Sequence, residues 1–267
     1  MKTLTIFCLL ILSTLTATAT GQAGDIIIWN NKKYALFSNP LESYSQFDLI
    51  RGKLFGEKPG ESSTACVRGY IAEWQIIDDF LFLTNIYGCN NYEIKADLNL
   101  LFPTKAINGK IKADWVNEIL LVPDGKCIFY GNIGYSAIYE TEYELTIQYG
   151  KLVEKVVYDN SKSHISIFTQ KPDSLLKFID HNIQWNNIPD TIKNPIRVVL
   201  FITSTDTNKP EIKILKGSGI KFYDDEAVRV ASQIPDWDVY IQRGKTFKMY
   251  WSLPIVFSHE KIIKYTH

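Results

Sequence analysis

Arg68, Glu73 and Trp74 lie close together in the chain, with Asp78 and Asp79 just beyond them. A guanidinium, three carboxylates and an indole are side chains that hold a sugar or a peptide, or pass a proton to one. The spacing argues against convergence. Residues 65–76 have the composition of a strand, whose successive side chains point to opposite faces, so Arg68 and Trp74 share one face and Glu73 takes the other. Asp78-Asp79 reads as the turn that leads into a second strand over 80–88. No nucleophile, base and orienting group can be assembled from this set, and the expectation is a chain that is not an enzyme.

The thiols and imidazoles give no stronger chemistry. Cys66 and Cys89 lie on those two strands. With Ile77 opposite Phe80, Cys66 faces Asn91 and Cys89 faces Arg68, two residues off a direct pairing. Either a bulge joins them in a disulfide, or they stay separate buried thiols. Cys127 makes the set odd. His164, His181, His259 and His267 are scattered, and neither CxxC nor HxxxH occurs, so no metal site is expected. Gly217-Ser218-Gly219 lacks the remaining spacing of a phosphate or dinucleotide loop and reads as a strand-to-helix turn. No cofactor is called for.

The elements that must carry these residues are mostly strands. Residues 25–29 and 33–37 flank Asn30-Asn31, a hairpin signature. Residues 52–63 read as an exposed loop, and 94–102 as a short helix with Ile94, Leu98, Leu101 and Phe102 on one side. Short strands follow over 110–116, 118–122 and 126–130, punctuated by Asn117, Pro123 and Gly125. Along 139–148, Tyr139, Thr141, Tyr143, Leu145 and Ile147 alternate with Glu140, Glu142 and Glu144, which predicts a sheet with one solvated face. Residues 152–158 supply another strand. Residues 159–163 have the composition of a linker, and 163–169 is strand-like.

Export is the expectation from the first residues. Met1-Lys2, the apolar run over 4–15 and Ala17-Thr18-Ala19 have the three parts of a cleavable signal peptide, assigned to 1–19. The run is shorter than the ~20 residues of a membrane span, so no integral span is expected once the signal is removed. With 29 basic and 29 acidic residues, no global field recruits nucleic acid. At 46% hydrophobic and 22% charged the chain is globular.

The most legible stretch is 216–257. Asp224 is placed to cap a helix, with Asp225 and Glu226 in its first turn, where the dipole favours negative charge. Ala227, Val230, Ala231 and Ile234 then form one apolar stripe, and Pro235 stops the helix. Arg229 either crosses to a neighbouring strand or is solvated, with solvation favoured, and Trp237 reads as core. After a Gly244-Lys245 turn, Phe247, Met249, Trp251 and Leu253 alternate with Lys248, Tyr250 and Ser252, and Pro254 marks the strand as an edge.

Four motifs here, Asp224 to Arg229, Ile234-Pro235-Asp236-Trp237, Gln242-Arg243-Gly244-Lys245 and Leu253-Pro254-Ile255-Val256-Phe257, resemble the C-terminal domain of the TonB family. The resemblance covers about 173–258 and implies an αββαβ domain with a three-stranded antiparallel sheet. The first half resembles only uncharacterised exported proteins. The expected fold is therefore α+β, with a β-rich antiparallel domain over 25–160 followed by the TonB-like domain. In that family the last strand is thought to pair with a short box of outer-membrane receptors. By resemblance, Thr246, Phe247, Lys248, Met249, Tyr250, Trp251 and Ser252 would pair with a protein or peptide of the cell envelope, such as a TonB-dependent receptor.

Other features depart from the family. Asn194 replaces its usual glycine, Asp238-Val239 follows the tryptophan, and no proline-rich spacer precedes the domain. The resulting expectation is a periplasmic binding module. Two alternatives stand beside it: an energy transducer anchored in the inner membrane by an uncleaved 4–15 segment, and an exported enzyme with a docking domain. Oligomeric state has no sequence signal.

Overall fold

The computed structural model describes residues 21–56, 62–131 and 133–266. The expected signal segment, part of the 52–63 loop, residue 132 and His267 lie outside the described residues.

Asn30 and Asn31 take φ of 49° and 60°, the left-handed pair that a tight hairpin turn requires. Across them β1 (Asp25–Trp29) pairs with β2 (Lys32–Leu36). Asp78 and Asp79, at 48° and 64°, make the same turn between β3 (Tyr70–Ile77) and β4 (Phe80–Gly88). The short β5 (Ala106–Ile107) and β6 (Lys110–Lys112) flank β4. A meander of β7 (Glu118–Phe129), β8 (Ile138–Gln148) and β9 (Lys151–Asp159) completes the sheet.

Because β1 runs parallel to β3, the main strand order is β2-β1-β3-β4-β9-β8-β7. Its two ends meet. The Phe37 N–H donates to the Leu121 carbonyl at 2.8 Å, and the Leu121 N–H donates to Ser38 Oγ at 3.1 Å. The sheet thus curls around one core that includes Ile27, Trp74, Leu83, Leu120 and Leu145, all fully buried. Phe47 of α1 (Phe47–Arg51) and Leu98 and Leu101 of α2 (Leu98–Leu101) pack into the same core.

Several boundaries differ from those read in the sequence. The helix expected over 94–102 shrinks to α2, because Asp97 caps it by accepting from the N–H groups of Asn99 and Leu100. The strands expected over 118–122 and 126–130 are one strand, whose bulges between Asp124 and Phe129 absorb Gly125. Pro123 is tolerated because, like Leu121 two residues before it, it turns its backbone away from β8, so the β7–β8 ladder loses no donor. A bulge between Glu73 and Trp74 shifts the β3–β4 register by one residue, and Cys66 and Cys89 are joined in a disulfide with Cα atoms 6.1 Å apart. The stretch 163–169 is not a strand: His164 forms a single bridge and α3 (Ile167–Gln170) follows.

The second half is built on a separate core. It runs α4 (Pro172–Asn182), β10 (Ile196–Thr203), β11 (Glu211–Lys216), α5 (Lys221–Ser232), the two-residue hairpin arms β12 (Ile241–Gln242) and β13 (Lys245–Thr246), β14 (Tyr250–Phe257) and α6 (His259–Tyr265). Three strands form an antiparallel sheet in the order β11-β10-β14. Ala227, Val230 and Ala231 on α5 and Ile179 on α4 bury against Val198, Leu200 and Ile202 of β10 and Leu253, Ile255 and Phe257 of β14. The helices cover that one face, while Tyr250, Ser252 and Pro254 stay exposed on the other. Among the described residues, no helix is long and apolar enough to cross a membrane.

Candidate peptide-binding edge

β14 pairs with β10 on one side only. The register runs from Ile196 opposite Phe257 to Thr203 opposite Tyr250, and one step further the Ser204 N–H donates to the Met249 carbonyl at 3.0 Å. In an antiparallel pair, bonded and non-bonded residues alternate. Trp251, Leu253, Ile255 and Phe257 therefore direct their backbone groups to β10. Tyr250, Ser252, Pro254 and Val256 direct theirs outward. Pro254 falls in the outward set, so its missing N–H costs the β10 ladder nothing. Among the described residues, no strand takes the outer side of β14. Helix α6 turns away onto α4, where Lys261 Nζ binds Asp180 at 2.7 Å and Tyr265 stacks on Trp185.

Of the seven residues expected to form this edge, Tyr250, Trp251 and Ser252 lie on β14. Thr246 belongs to β13, and Phe247 to Met249 form no strand. The strand starts late because the Phe247 N–H donates to the Tyr240 carbonyl at 2.8 Å, which draws this segment toward the preceding hairpin. Gly244 occupies the left-handed turn of that hairpin at φ 70° beside Arg243 at 50°.

The helix N-terminus also differs from expectation. Asp224 lies within α5, and Ile220 holds the N-cap position. The Asp224 carboxylate instead reaches back to accept from the Ser218 N–H and hydroxyl at 2.7 and 2.8 Å, tying down the turn from β11. Arg229 is only partly solvated: it holds Glu226 through two contacts of 2.6 Å and donates to the Asn182 carbonyl at the end of α4. Burial pushes the Glu226 carboxyl up, but Arg229 and the Gln184 N–H outweigh it and the pKa falls. The apolar stripe ends as expected, with Ile234 and Trp237 buried around Pro235.

Residues 160–166, which overlap the linker expected over 159–163, are bolted to residues 236–243. His164 and Val239 exchange backbone hydrogen bonds at 2.8 Å in both directions. Ser163 Oγ both donates to the Ile241 carbonyl and accepts its N–H. Asp238, fully buried, accepts from the Ser166 N–H at 2.7 Å and the Tyr240 hydroxyl at 2.6 Å. Burial and that carboxylate push the Tyr240 phenol far up. Asp238 and Val239 thus hold the two halves together alongside Ile241 and Arg243. The glutamate face of β8 is not left to solvent either. Arg243 approaches Glu142 and Glu144 at 3.7 and 3.8 Å, and burial raises the Glu142 pKa.

In the first half, Arg68 and Trp74 do converge, on a residue that sequence reasoning missed. Asp25 is buried and accepts from Arg68 Nη2 at 2.9 Å, Trp74 Nε1 at 3.1 Å and the Ala72 N–H at 3.1 Å. Its only sequence signal is a carboxylate heading the apolar run Ile26-Ile27-Ile28-Trp29. Arg68 Nη1 also donates to the Tyr135 hydroxyl at 3.1 Å. Glu73 faces away, held by Asn85 at 2.7 Å and Lys33 at 3.4 Å. The carboxylates read as candidate chemistry therefore do not share a site. The thiol of Cys127 is half-buried and pushed up by that burial. No group of three or more metal-ligating side chains occurs among the described residues. No family model, no curated protein and no solved structure matches this chain.

Proposed function

We propose that the protein is an exported cell-envelope binding module whose second half is TonB-like and captures an extended segment of a partner protein by adding it to β14. The observation that carries this reading is the outer side of β14. Tyr250, Ser252 and Val256 offer N–H groups there, and all four outward residues offer carbonyls. Such a row is a template for a further strand. The element order from α4 to β14 and the three-stranded antiparallel sheet support the likeness, and the four sequence motifs point the same way. A receptor of the outer membrane is the partner that the resemblance implies.

The test is titration with synthetic peptides carrying the receptor box, followed by backbone amide protection. The amides of Tyr250, Ser252 and Val256 should become protected on binding. Ser252→Pro removes one outward donor at a position like that of Pro254. It should weaken binding by about fivefold, since a ladder hydrogen bond contributes about 1 kcal/mol, while the melting temperature stays nearly constant. Unchanged affinity in this variant would remove β14 as the docking strand.

A further inference from the structure

Where the β12–β13 hairpin faces the curled sheet there is an open cleft of about 570 Å³, lined by Glu144 of β8, Tyr158 of β9, and Gln242, Arg243, Lys245 and Phe247. Its walls are fixed. Tyr158 donates to Glu144 Oε2 at 2.9 Å, Gln242 Nε2 donates to Glu142 at 3.4 Å, and the Arg243 N–H donates to Asn160 Oδ1 at 3.0 Å. The polar groups nevertheless keep capacity to spare. The Arg243 guanidinium is beyond hydrogen-bond distance of both glutamates. Among the described residues, the side chains of Lys245 and Thr246, which also line the cleft, have no partner. Among the described residues, Glu144 Oε1, 3.8 Å from Arg243, and Gln242 Oε1 accept no hydrogen bond.

Charge and shape narrow the ligand. Arg243 and Lys245 offset Glu142 and Glu144, so neither an anion nor a cation gains from the site as a whole. Phe247, 51% exposed, supplies an apolar ring beside these donors and acceptors. A sugar hydroxyl both donates and accepts, and a pyranose carries a C–H face that packs on an aromatic ring. We propose that this cleft binds an uncharged oligosaccharide, held by Arg243, Lys245, Gln242 and Glu144 against the Phe247 ring. Both halves contribute to it, so the ligand also bears on the seam between them.

The whole chain, with its disulfide intact, is titrated with cellotetraose, maltotetraose and chitotetraose, and with a heparin tetrasaccharide as the charged control. Backbone amide spectra supply the readout. At least one neutral glycan should shift the amides of residues 242–247 and of Glu144. Phe247→Ala and Glu144→Gln should each weaken that response by about tenfold or more. The proposal is overturned if no neutral glycan shifts these amides at about 10 mM, if both variants respond like the parent, or if only the charged control binds. Peptide pairing registers at Tyr250, Ser252 and Val256, so either result can fail without the other.

Discussion

Asp25→Ala should lower the stability of the first half by about 3–5 kcal/mol, the loss typical of breaking a buried ion pair from one side. Asp25 is the common acceptor for Arg68, Trp74 and the Ala72 N–H. Its removal strands a guanidinium whose side chain is only 9% exposed and whose Nε already lacks a partner. For a chain of this size the melting temperature should fall by roughly 10 °C. Thermal melts at pH 7 check this, and a change within about 2 °C would show that the network contributes little. The pH dependence is a second signature. Burial pushes the Asp25 carboxyl up to about 6, against the pull of Arg68, Trp74 and Ala72. The folded state thus holds this proton more tightly than the unfolded chain, where aspartate titrates near ~3.9. The contribution is full below about pH 4 and is lost as pH rises through about 6. Asp25→Asn should abolish that slope in stability measured across the interval.

Replacing both Cys66 and Cys89 by serine should cost about 3.5 kcal/mol, from the loop-closure entropy of a bond spanning 23 positions. The effect should be regional. The disulfide anchors a small cluster with Ile26 and Ile71, on which Ala23 packs. Beside it, the Ala23 N–H donates to the Ala65 carbonyl and Gln22 Nε2 to that of Thr64. Hydrogen exchange should show the amides of Ala23 and Gly69 losing protection first. Those of Val198 to Ile202 belong to the other core and should stay protected. Uniform loss across both halves would mean that they unfold as one unit.

What the sequence makes legible is local. Asn30-Asn31 and Asp78-Asp79 declare their turns because few other residues tolerate left-handed φ, and the α5 stripe shows its face through its own spacing. The Pro254 edge is legible for the same reason, since a missing donor is a property of one residue. Pairings between distant residues are not. Asp25 and Arg68 are 43 positions apart and Gln242 and Glu142 are 100 apart, so composition at one site carries no signal of the other. The parallel β1–β3 pairing and the meeting of Phe37 with Leu121 are hidden likewise. The 159–163 segment is opaque for a subtler reason: small polar residues make good linkers and equally good hydrogen-bonding rivets, and only its partner segment distinguishes the two.

The open sheet of the second half has two free margins of unlike sequence, β11 and β14. Joining the β11 of one molecule to the β14 of the next would repeat without closing and grow a filament. Each margin carries an interruption to such growth. Pro254 removes a donor from the middle of one. In the other, the register slips between Val199 and Leu200, leaving Leu215 without an opposite residue on β10 and twisting the strand there. A short visiting segment can still be accommodated along Tyr250 to Ser252, whereas an endless stack needs an unbroken ladder on both margins. The same proline that lies in the outward row of β14 thereby limits how many copies of the protein can queue along it.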